Sequence, residues 1–241
     1  MVNNISKLEQ KDCWMKSSCK KYANDASCES DYFCYKFFYL RRIYSKSLLT
    51  TKQITTPLHG LDYDSVDVPA YEHLAEIKQN IKSFVEEGKN LIILSQNAGN
   101  GKTSWSIELL KSYFNAIWPK SNSDCKGMFV ELSRYFSSLK EHIGSGESNY
   151  ATMVNENIYT ADVIVWDDIG VKDLTEFEYD QFLSIINARI NDGKSNIYTT
   201  NLTDNELISK LTKRLYSRVV GYSTVIEFKE KDHRRAVTRN E

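Results

Sequence analysis

Lys102 and Thr103 follow two closely spaced glycines in LIILSQNAGNGKTSW, the segment that spans residues 91–105. Backbone N–H groups at the start of a helix can surround an anion, and a lysine beside them adds a compact positive charge. We therefore expect Lys102 to reach the β- and γ-phosphates of a nucleotide and Thr103 to offer its hydroxyl to Mg²⁺. Gly99 and Gly101 would give this loop its tight curvature.

The loop departs from the usual pattern G-x-x-x-x-G-K-[ST] at its entry, where Gln96 stands in place of the first glycine. A non-glycine residue fits there if its backbone angles stay ordinary. The pattern therefore predicts nucleotide binding, and an ordinary strand-to-helix turn is the alternative. The residues expected to contact the nucleotide are Asn97, Ala98, Gly99, Asn100, Gly101, Lys102, Thr103 and Ser104.

Acidic and amide side chains follow two other strand-like runs, VIVWDD and SNIYTTN. A metal ion that bridges nucleotide phosphates also needs a carboxylate from the protein. We expect Asp167 to hold Mg²⁺, directly or through water, and Asp168 to orient and polarise the attacking water. Asn201 would contact the γ-phosphate or this water; alternatively it caps the next helix, in competition with Thr203 and Asp204.

Four of the five cysteines, Cys13, Cys19, Cys28 and Cys34, lie within the first 34 residues. Four thiolates can form a tetrahedral Zn²⁺ site, and a segment this short needs such a cross-link to fold. The spacing is wider than the usual C-x₂-C, and the alternatives are an iron–sulfur cluster or free thiols in a small helical module. Cys125 stands alone and is not expected to be a ligand.

The elements that must position these residues alternate along the chain from Ala70 onward. Apolar residues at three-to-four spacing predict helices, and short apolar runs predict strands. The predicted strands cover residues 90–95, 127–133, 161–168, 195–201 and 223–228. Strands that alternate with helices of this length predict crossover units and a parallel sheet covered on both faces.

Composition limits the class of protein and its organisation. A chain of 241 residues with 41% hydrophobic residues can form one full-sized domain and a small appendage. We assign residues 1–50 to a cysteine-rich module, 51–66 to a linker without sustained periodicity, and 67–241 to the main domain. No apolar run approaches the roughly 20 residues that cross a bilayer, and the N-terminus is too polar for a signal peptide, so we expect a cytoplasmic protein with reduced cysteines.

Charge is unevenly distributed between the two parts of the chain. Residues 1–49 contain nine Lys or Arg and five Asp or Glu, which gives this segment a charge of +4. Because the net charge of the whole chain is −1, the remaining residues carry a charge of −5. A basic appendage of this kind faces nucleic acid or an acidic partner, or is simply a solvated surface.

On these motifs the chain from about Ala70 to its end resembles the AAA+ ATPases of the DnaC/DnaI helicase-loader and IstB group. NAGNGKTS corresponds to Walker A, VIVWDDIG to Walker B, TTNLT to the end of the sensor-1 strand, and LTKRLYSRVVG to the segment that bears an arginine finger. The resemblance implies an α/β fold in which a P-loop AAA+ core has a parallel β-sheet flanked by helices. DnaI-type loaders also carry a small N-terminal cysteine-bound module, so the resemblance implies that residues 1–50 form a cysteine-rich, zinc-binding module that grips the helicase together with its aromatic helix.

The resemblance also assigns roles to four arginines. It implies that Arg218 is the finger inserted into the nucleotide site of a neighbouring subunit, with Arg214, one turn earlier, as the second candidate. The tail EKDHRRAVTRN corresponds to the sensor-2 position, with Arg234 or Arg235 as the residue.

The function implied is an ATP-dependent loader that places a replicative ring helicase on single-stranded DNA, encoded by a phage or mobile element. The resemblance implies slow ATP hydrolysis stimulated by DNA or a partner, Mg²⁺ and Zn²⁺ as cofactors, and a homo-oligomer in the ATP-bound state. One alternative is an IstB-like transposition ATPase that remodels duplex DNA; the cysteine cluster argues against it. Another is a DNA-binding adaptor with a vestigial ATPase site, suggested by Gln96 and by Asp168 where many AAA+ proteins have glutamate.

Overall fold

A parallel sheet of five strands forms the centre of the protein. The computed structural model describes residues 4–16, 19, 33–58, 65–97, 99–121, 124–145 and 148–229. The strands are β1 (Asn90–Leu94), β2 (Gly127–Glu131), β3 (Val163–Asp167), β4 (Ser195–Thr200) and β5 (Ser223–Glu227). Their order is β2-β3-β4-β1-β5, and all four neighbouring pairs are parallel. The predicted parallel sheet is confirmed, and its carboxyl ends share one edge.

Helices cover both faces of this sheet. They are α1 (Tyr35–Ser45), α2 (Thr51–Thr55), α3 (Val68–Gln79), α4 (Ile81–Glu86), α5 (Lys102–Ile117), α6 (Leu132–Ser145), α7 (Asn149–Asn157), α8 (Glu176–Asn191) and α9 (Asp204–Val219). Short 3₁₀ turns lie at Asn4–Lys7, Gln10–Asp12 and Trp118–Lys120. Within the described residues, no helix has both the length and the apolar character needed to cross a bilayer.

The hydrophobic core is divided into two clusters by the sheet. Leu91 and Ile93 of β1 belong to one cluster, whereas Ile92 between them belongs to the other. Side chains of a strand alternate between its two faces, so this division follows directly from the apolar run in β1. Every residue of β1, β3 and β4 is buried. The sheet is therefore covered on both sides, as predicted from its continuous apolar strands.

The segment around α1 packs against the main domain. Leu40 and Tyr44 belong to the same hydrophobic cluster as β1, and the Tyr44 ring lies edge-on to Phe114 of α5 with centroids 5.2 Å apart. The backbone N–H of Phe129 in β2 donates to the carbonyl of Ser47 at 2.8 Å. Residues 35–49 thus cover one end of the sheet and contribute to its core.

Part of the segment expected to be a linker is helical. Thr50 and Gln53 form a capping box that begins α2, and Ile54 is buried in the cluster shared with α1. Such reciprocal hydrogen bonds satisfy backbone donors at a helix start, so even five residues can form a stable turn when one of them is buried. Residues 51–55 of the expected linker are thus helical, while the division of the chain into module, linker and main domain stays a prediction; residues 59–64 lie outside the described part of the chain.

Candidate nucleotide site at the carboxyl edge of the sheet

The loop between β1 and α5 has the backbone that its glycines predict. Gly99 and Gly101 have φ values of 82° and 95°, in the left-handed region that favours glycine. Gly101 also begins α5, because its carbonyl accepts the N–H of Trp105 at 2.8 Å. Gln96 is not among the described residues with positive φ. Gln96 therefore does not adopt the left-handed conformation that would require glycine at this position.

Lys102 is buried and points back into the loop. Its Nζ donates to the carbonyls of Asn97 at 2.9 Å and Ser95 at 3.3 Å, and to Oδ1 of Asn100 at 3.1 Å. The Asn100 side chain also donates to the Ser95 hydroxyl, which ties the two ends of the loop together. These three acceptors of the ammonium group are neutral, so they position its charge without cancelling it.

Asp167 connects the loop to the centre of the sheet. Its Oδ1 accepts hydrogen bonds from the Thr103 hydroxyl at 3.0 Å and from the Thr199 hydroxyl at 2.7 Å. Burial raises the pKa of Asp167 to about 6; these hydroxyl donors oppose that rise, and the charges of Asp168 and Glu131 add to it. A carboxylate beside a threonine hydroxyl is a donor set that suits Mg²⁺, which commonly takes one or two protein oxygens together with phosphate oxygens.

Asp168 lies in an exposed turn directly after β3. Its φ is 57°, and its backbone N–H donates to the Thr199 hydroxyl at 3.0 Å. Its Oδ1 accepts from Nδ2 of Asn201 at 3.0 Å. Thr203, whose side chain accepts the N–H of Glu206, caps α9. Of the two alternatives for Asn201, the structure therefore gives the helix cap to Thr203 and brings Asn201 to Asp168.

Thr199 is a residue of this site that the sequence analysis did not identify. Its buried hydroxyl donates to Asp167 and accepts from the N–H of Asp168, so one oxygen fixes two consecutive aspartates. The carbonyl of Thr199 also accepts the N–H of Ile169 at 2.9 Å. The available signal was the pair of threonines at the end of an otherwise buried strand, where an unpaired polar group would be costly.

The chain after β5 returns to the loop. Nδ2 of Asn97 donates to the carbonyl of Lys229 at 3.3 Å, and the N–H of Lys229 donates to the buried Asp67 carboxylate at 2.7 Å. The segment that follows Lys229 therefore begins beside the loop. Ala98, Arg234 and Arg235 lie outside the described residues, so the contacts of Ala98 and the sensor-2 assignment stay predictions.

The two arginines of α9 lie far from their own chain's loop. This helix begins near the carboxyl edge of the sheet and leads to β5, which begins at the opposite edge. Arg218 lies in its last turn, beyond a kink at Thr212, where φ is 61° and ψ is 158°, and five residues before β5 begins. Its Nη1 donates to the Tyr222 hydroxyl at 3.1 Å, and Arg214 is exposed. Both arginines thus lie toward the amino edge of the sheet, and their action in the site of a neighbouring chain stays a prediction.

The cysteines of the N-terminal module are only partly described. Cys13, Cys19 and Cys34 are half-buried, and the Cys34 sulfur accepts the N–H of Phe37 at the start of α1. No group of three or more His, Cys, Asp or Glu in the described part of the chain could hold a metal ion. Cys28 lies outside that part, so the four-cysteine Zn²⁺ site stays a prediction. Burial raises the pKa of Cys125 to about 11, which makes it a poor source of thiolate.

Comparison with known proteins agrees with the architecture. Residues 49–240 match the family described as IstB-like ATP binding protein. No curated protein matches the chain in sequence. The fold is similar to that of the DnaC helicase loader, with a TM-score of 0.57 and 22% identity over 71% of this chain and 94% of that one.

Two further solved structures share this fold. DnaI has a TM-score of 0.57 and 19% identity, covering 77% of this chain and 94% of its own. Domain III of the Thermotoga maritima replication initiation protein DnaA has a TM-score of 0.54 and 18% identity, covering 77% of this chain and 70% of that one. At these identities the structural likeness establishes the fold alone. The family match spans most of the chain, so the protein belongs to the IstB-like ATP-binding family, in agreement with the resemblance to the DnaC/DnaI/IstB group.

Proposed function

We propose that this protein is a Mg²⁺-dependent AAA+ ATPase that loads a replicative ring helicase onto single-stranded DNA. The ATPase part of the proposal is supported by the position of Asp167. A single oxygen of its carboxylate, Oδ1, accepts hydrogen bonds from the hydroxyls of both Thr103 and Thr199. This links the phosphate-binding loop, the end of β3 and the end of β4 in one hydrogen-bonded group. Membership in an ATP-binding family supports ATP as the nucleotide.

Each residue of the group has a distinct task in hydrolysis. Lys102 balances the negative charge of the β- and γ-phosphates at the start of α5. Mg²⁺, held by Thr103 and Asp167, would neutralise charge on the phosphate oxygens. Asp168 accepts a hydrogen bond from the attacking water, and Asn201 fixes the orientation of the Asp168 carboxylate. Arg218 of a neighbouring chain adds positive charge at the phosphate that is transferred, so hydrolysis depends on an ATP-bound homo-oligomer.

The helicase-loading part of the proposal is supported by the fold and by charge. Structures of the same fold include the DnaC helicase loader, and another is a replication initiator bound to single-stranded DNA. The positive balance of residues 1–49 suits a role in contacting a partner or nucleic acid. A transposition ATPase is the second candidate, favoured by the family match itself.

ATP turnover with different DNA partners tests the proposal. Turnover is measured for the full-length protein alone, with a single-stranded oligonucleotide, with the matching duplex, and with a replicative helicase. A loader is expected to respond to single-stranded DNA and to helicase, whereas a transposition ATPase responds to duplex. Asp168→Asn should retain ATP binding and lose turnover, while Asp192→Asn, at the far end of α8, should behave as wild type.

Two results would contradict the proposal in different ways. Absence of turnover under all four conditions would favour an adaptor with a vestigial site. Full turnover in Asp168→Asn would show that another group orients the water.

A further inference from the structure

Helix α1 has two apolar faces, and only one of them is buried in the core. Phe37, Leu40, Ile43 and Tyr44 pack into the cluster shared with α5. Tyr35, Phe38, Tyr39 and Arg42 follow at positions i, i+3, i+4 and i+7, so they share the opposite face. A surface helix normally carries polar residues on its outer face. On this face Tyr35 is exposed and Phe38 and Tyr39 are half-buried, so part of its aromatic surface lies outside the core.

Five neighbouring rings form a surface, which we name the aromatic ridge: Phe33 and Tyr35, which are exposed, and Phe38, Tyr39 and Trp118, which are half-buried, with Trp118 also packed against the core. Phe33 and Tyr35 are 57% and 63% exposed. Ring centroids are 5.6 Å apart between Phe33 and Phe38, 5.7 Å between Phe38 and Tyr39, and 6.5 Å between Tyr39 and Trp118. These pairs are tilted or edge-on, so none of these rings is stacked face to face on its neighbour. Flat aromatic surface remains available along the ridge.

Positive side chains lie beside the aromatic ridge. Arg42 shares its face of α1, Lys36 is exposed on the same helix, and Lys120 is exposed two residues after Trp118. Helix α1 contains no acidic residue. Exposed rings with interspersed cations are the arrangement that binds single-stranded nucleic acids, because bases stack on the rings while cations attract the phosphates. An apolar surface that binds protein has no comparable need for these cations.

We propose that the aromatic ridge binds single-stranded nucleic acid, with bases stacked on Tyr35 and Phe38 and phosphates attracted by Lys36, Arg42 and Lys120. This surface is separate from the nucleotide site, which lies at the carboxyl edge of the sheet. The inference goes beyond the proposed function, since it names a contact surface for the strand that does not depend on ATP.

Fluorescence anisotropy with labelled oligo(dT), in the absence of nucleotide, tests the inference on the full-length protein. Tyr35→Ala/Phe38→Ala should weaken binding at least about tenfold, because each ring–base stack contributes substantially. The matched control is Tyr159→Ala/Phe177→Ala. It removes two rings that lie outside the aromatic ridge and are 46% and 45% exposed. This control should bind as wild type. Oligo(U) in a parallel series shows whether the ridge distinguishes DNA from RNA.

Salt dependence tests the cations separately. Lys36→Ala/Lys120→Ala should reduce the slope of log affinity against log salt by about 1.4, since single strands give about 0.7 per neutralised phosphate. Lys82→Ala/Lys213→Ala removes two exposed lysines elsewhere and should leave the slope unchanged. An oligonucleotide affinity that is unchanged in the ridge variants would overturn the inference. So would ridge variants that keep this affinity but lose binding to a protein partner.

Cross-linking of the wild-type protein covers the case in which a ridge variant fails to fold. Photoactivated oligonucleotides containing 5-iododeoxyuridine should attach to Phe33, Tyr35, Phe38, Tyr39 or Trp118, as located by mass spectrometry. Attachment only elsewhere would overturn the inference. The two proposals fail separately: a protein without ATP turnover whose ridge binds oligonucleotide contradicts only the ATPase, and an active ATPase with no ridge binding contradicts only this inference.

Discussion

At the scale of single residues, Thr199 determines whether the two aspartates of the site are held in place. Thr199→Val keeps the shape of the side chain but leaves the buried Asp167 oxygen and the Asp168 N–H each without this partner. Loss of such a buried hydrogen bond costs about 1–3 kcal/mol, so we expect hydrolysis to fall about tenfold or more and half-saturation by Mg²⁺ to need a higher concentration. ATP turnover as a function of Mg²⁺ concentration measures both.

The serine variant separates positioning from packing. Thr199→Ser retains the hydroxyl and removes a methyl group, so it should restore most of the turnover that Thr199→Val loses. Equal losses in both variants would mean that the methyl group, and not the hydroxyl, is what the site requires.

Lys102 is the residue on which nucleotide binding should depend. Lys102→Ala removes the ammonium group held by Ser95, Asn97 and Asn100, and we expect loss of ATP binding with the fold retained. Lys111→Ala, on the same helix but paired with Glu108, is the matched control. Titration calorimetry with ATP and circular dichroism provide the two measurements. Undiminished ATP affinity in Lys102→Ala would remove the loop from the proposed mechanism.

At the scale of elements, Glu178 joins three parts of the structure. It caps α8 with Thr175, and its Oε1 accepts from Lys140 of α6 at 3.1 Å and from Lys172 of the loop after β3 at 3.3 Å. Burial alone would raise the pKa of Glu178, but hydrogen bonds from Thr175 and the two lysines lower it to about 2. This folded pKa lies below the ordinary value of 4.5, so the ionised form contributes stability above pH 4.5 that is lost as pH falls toward 2.

Substitution of Glu178 should therefore have a pH-dependent effect on stability. Glu178→Gln should lower the free energy of unfolding by about 1–3 kcal/mol at pH 7, because a neutral amide replaces the ionised acceptor of hydrogen bonds from Thr175 and two half-exposed lysines. The difference from wild type should shrink as pH falls from 4.5 toward 2. Glu206→Gln changes the equivalent capping-box residue of α9, which is exposed, and should have a much smaller effect. Urea unfolding at several pH values measures the difference; a constant gap across this range would contradict the assignment.

The elements that the sequence predicted best are those encoded locally. Each apolar run becomes a strand, and the glycines of the loop have the positive φ that their spacing indicated. Thr199 was missed because its role depends on the pairing of β4 with β3, which brings it opposite Asp167 only in the folded sheet. The packing of α1 was missed for a similar reason. Residues 1–50 were assigned to a separate module, and the contact of α1 with α5 depends on tertiary packing that the local pattern does not encode.

At the scale of the whole molecule, the N-terminal segment contributes to the core of the main domain. Leu40, Ile43, Tyr44 and Leu49 are all buried in the cluster that includes β1 and α5. Each large core side chain contributes about 2–5 kcal/mol when truncated to alanine, against a total stability of about 5–15 kcal/mol for a typical domain. We therefore expect removal of residues 1–49 to abolish cooperative unfolding and to cause aggregation.

Point substitutions on α1 test this without a truncation. Tyr44→Ala should lower the free energy of unfolding by about 3–5 kcal/mol, because it leaves a cavity beside Phe114. Tyr35→Ala removes an exposed ring from the same helix and should leave stability nearly unchanged. A soluble, cooperatively folded fragment 50–241 would show instead that the segment before residue 50 is dispensable for folding.

Assembly of several chains is the largest scale at which the nucleotide site can be tested. Arg218 lies in the last turn of α9, whereas the first turn of this helix lies near the carboxyl edge of the sheet, where the nucleotide site of its own chain is. Arg218→Ala should bind ATP normally but hydrolyse it poorly, as expected when a finger that stabilises the transferring phosphate is lost. Arg214→Ala distinguishes the second candidate, and Lys213→Ala is an exposed control on the same helix.

Mixing two inactive variants tests whether Arg218 acts on a neighbouring chain. An Arg218→Ala chain keeps Asp168 and lacks the finger, whereas an Asp168→Asn chain keeps the finger and lacks the carboxylate that orients water. If the two chains associate, one class of interface combines an intact Asp168 with an intact Arg218, and turnover should recover in proportion to the number of such interfaces. Recovery should therefore pass through a maximum as the mixing ratio is varied at constant total protein. A mixture no more active than its two components would mean that Arg218 does not complete the site of another chain.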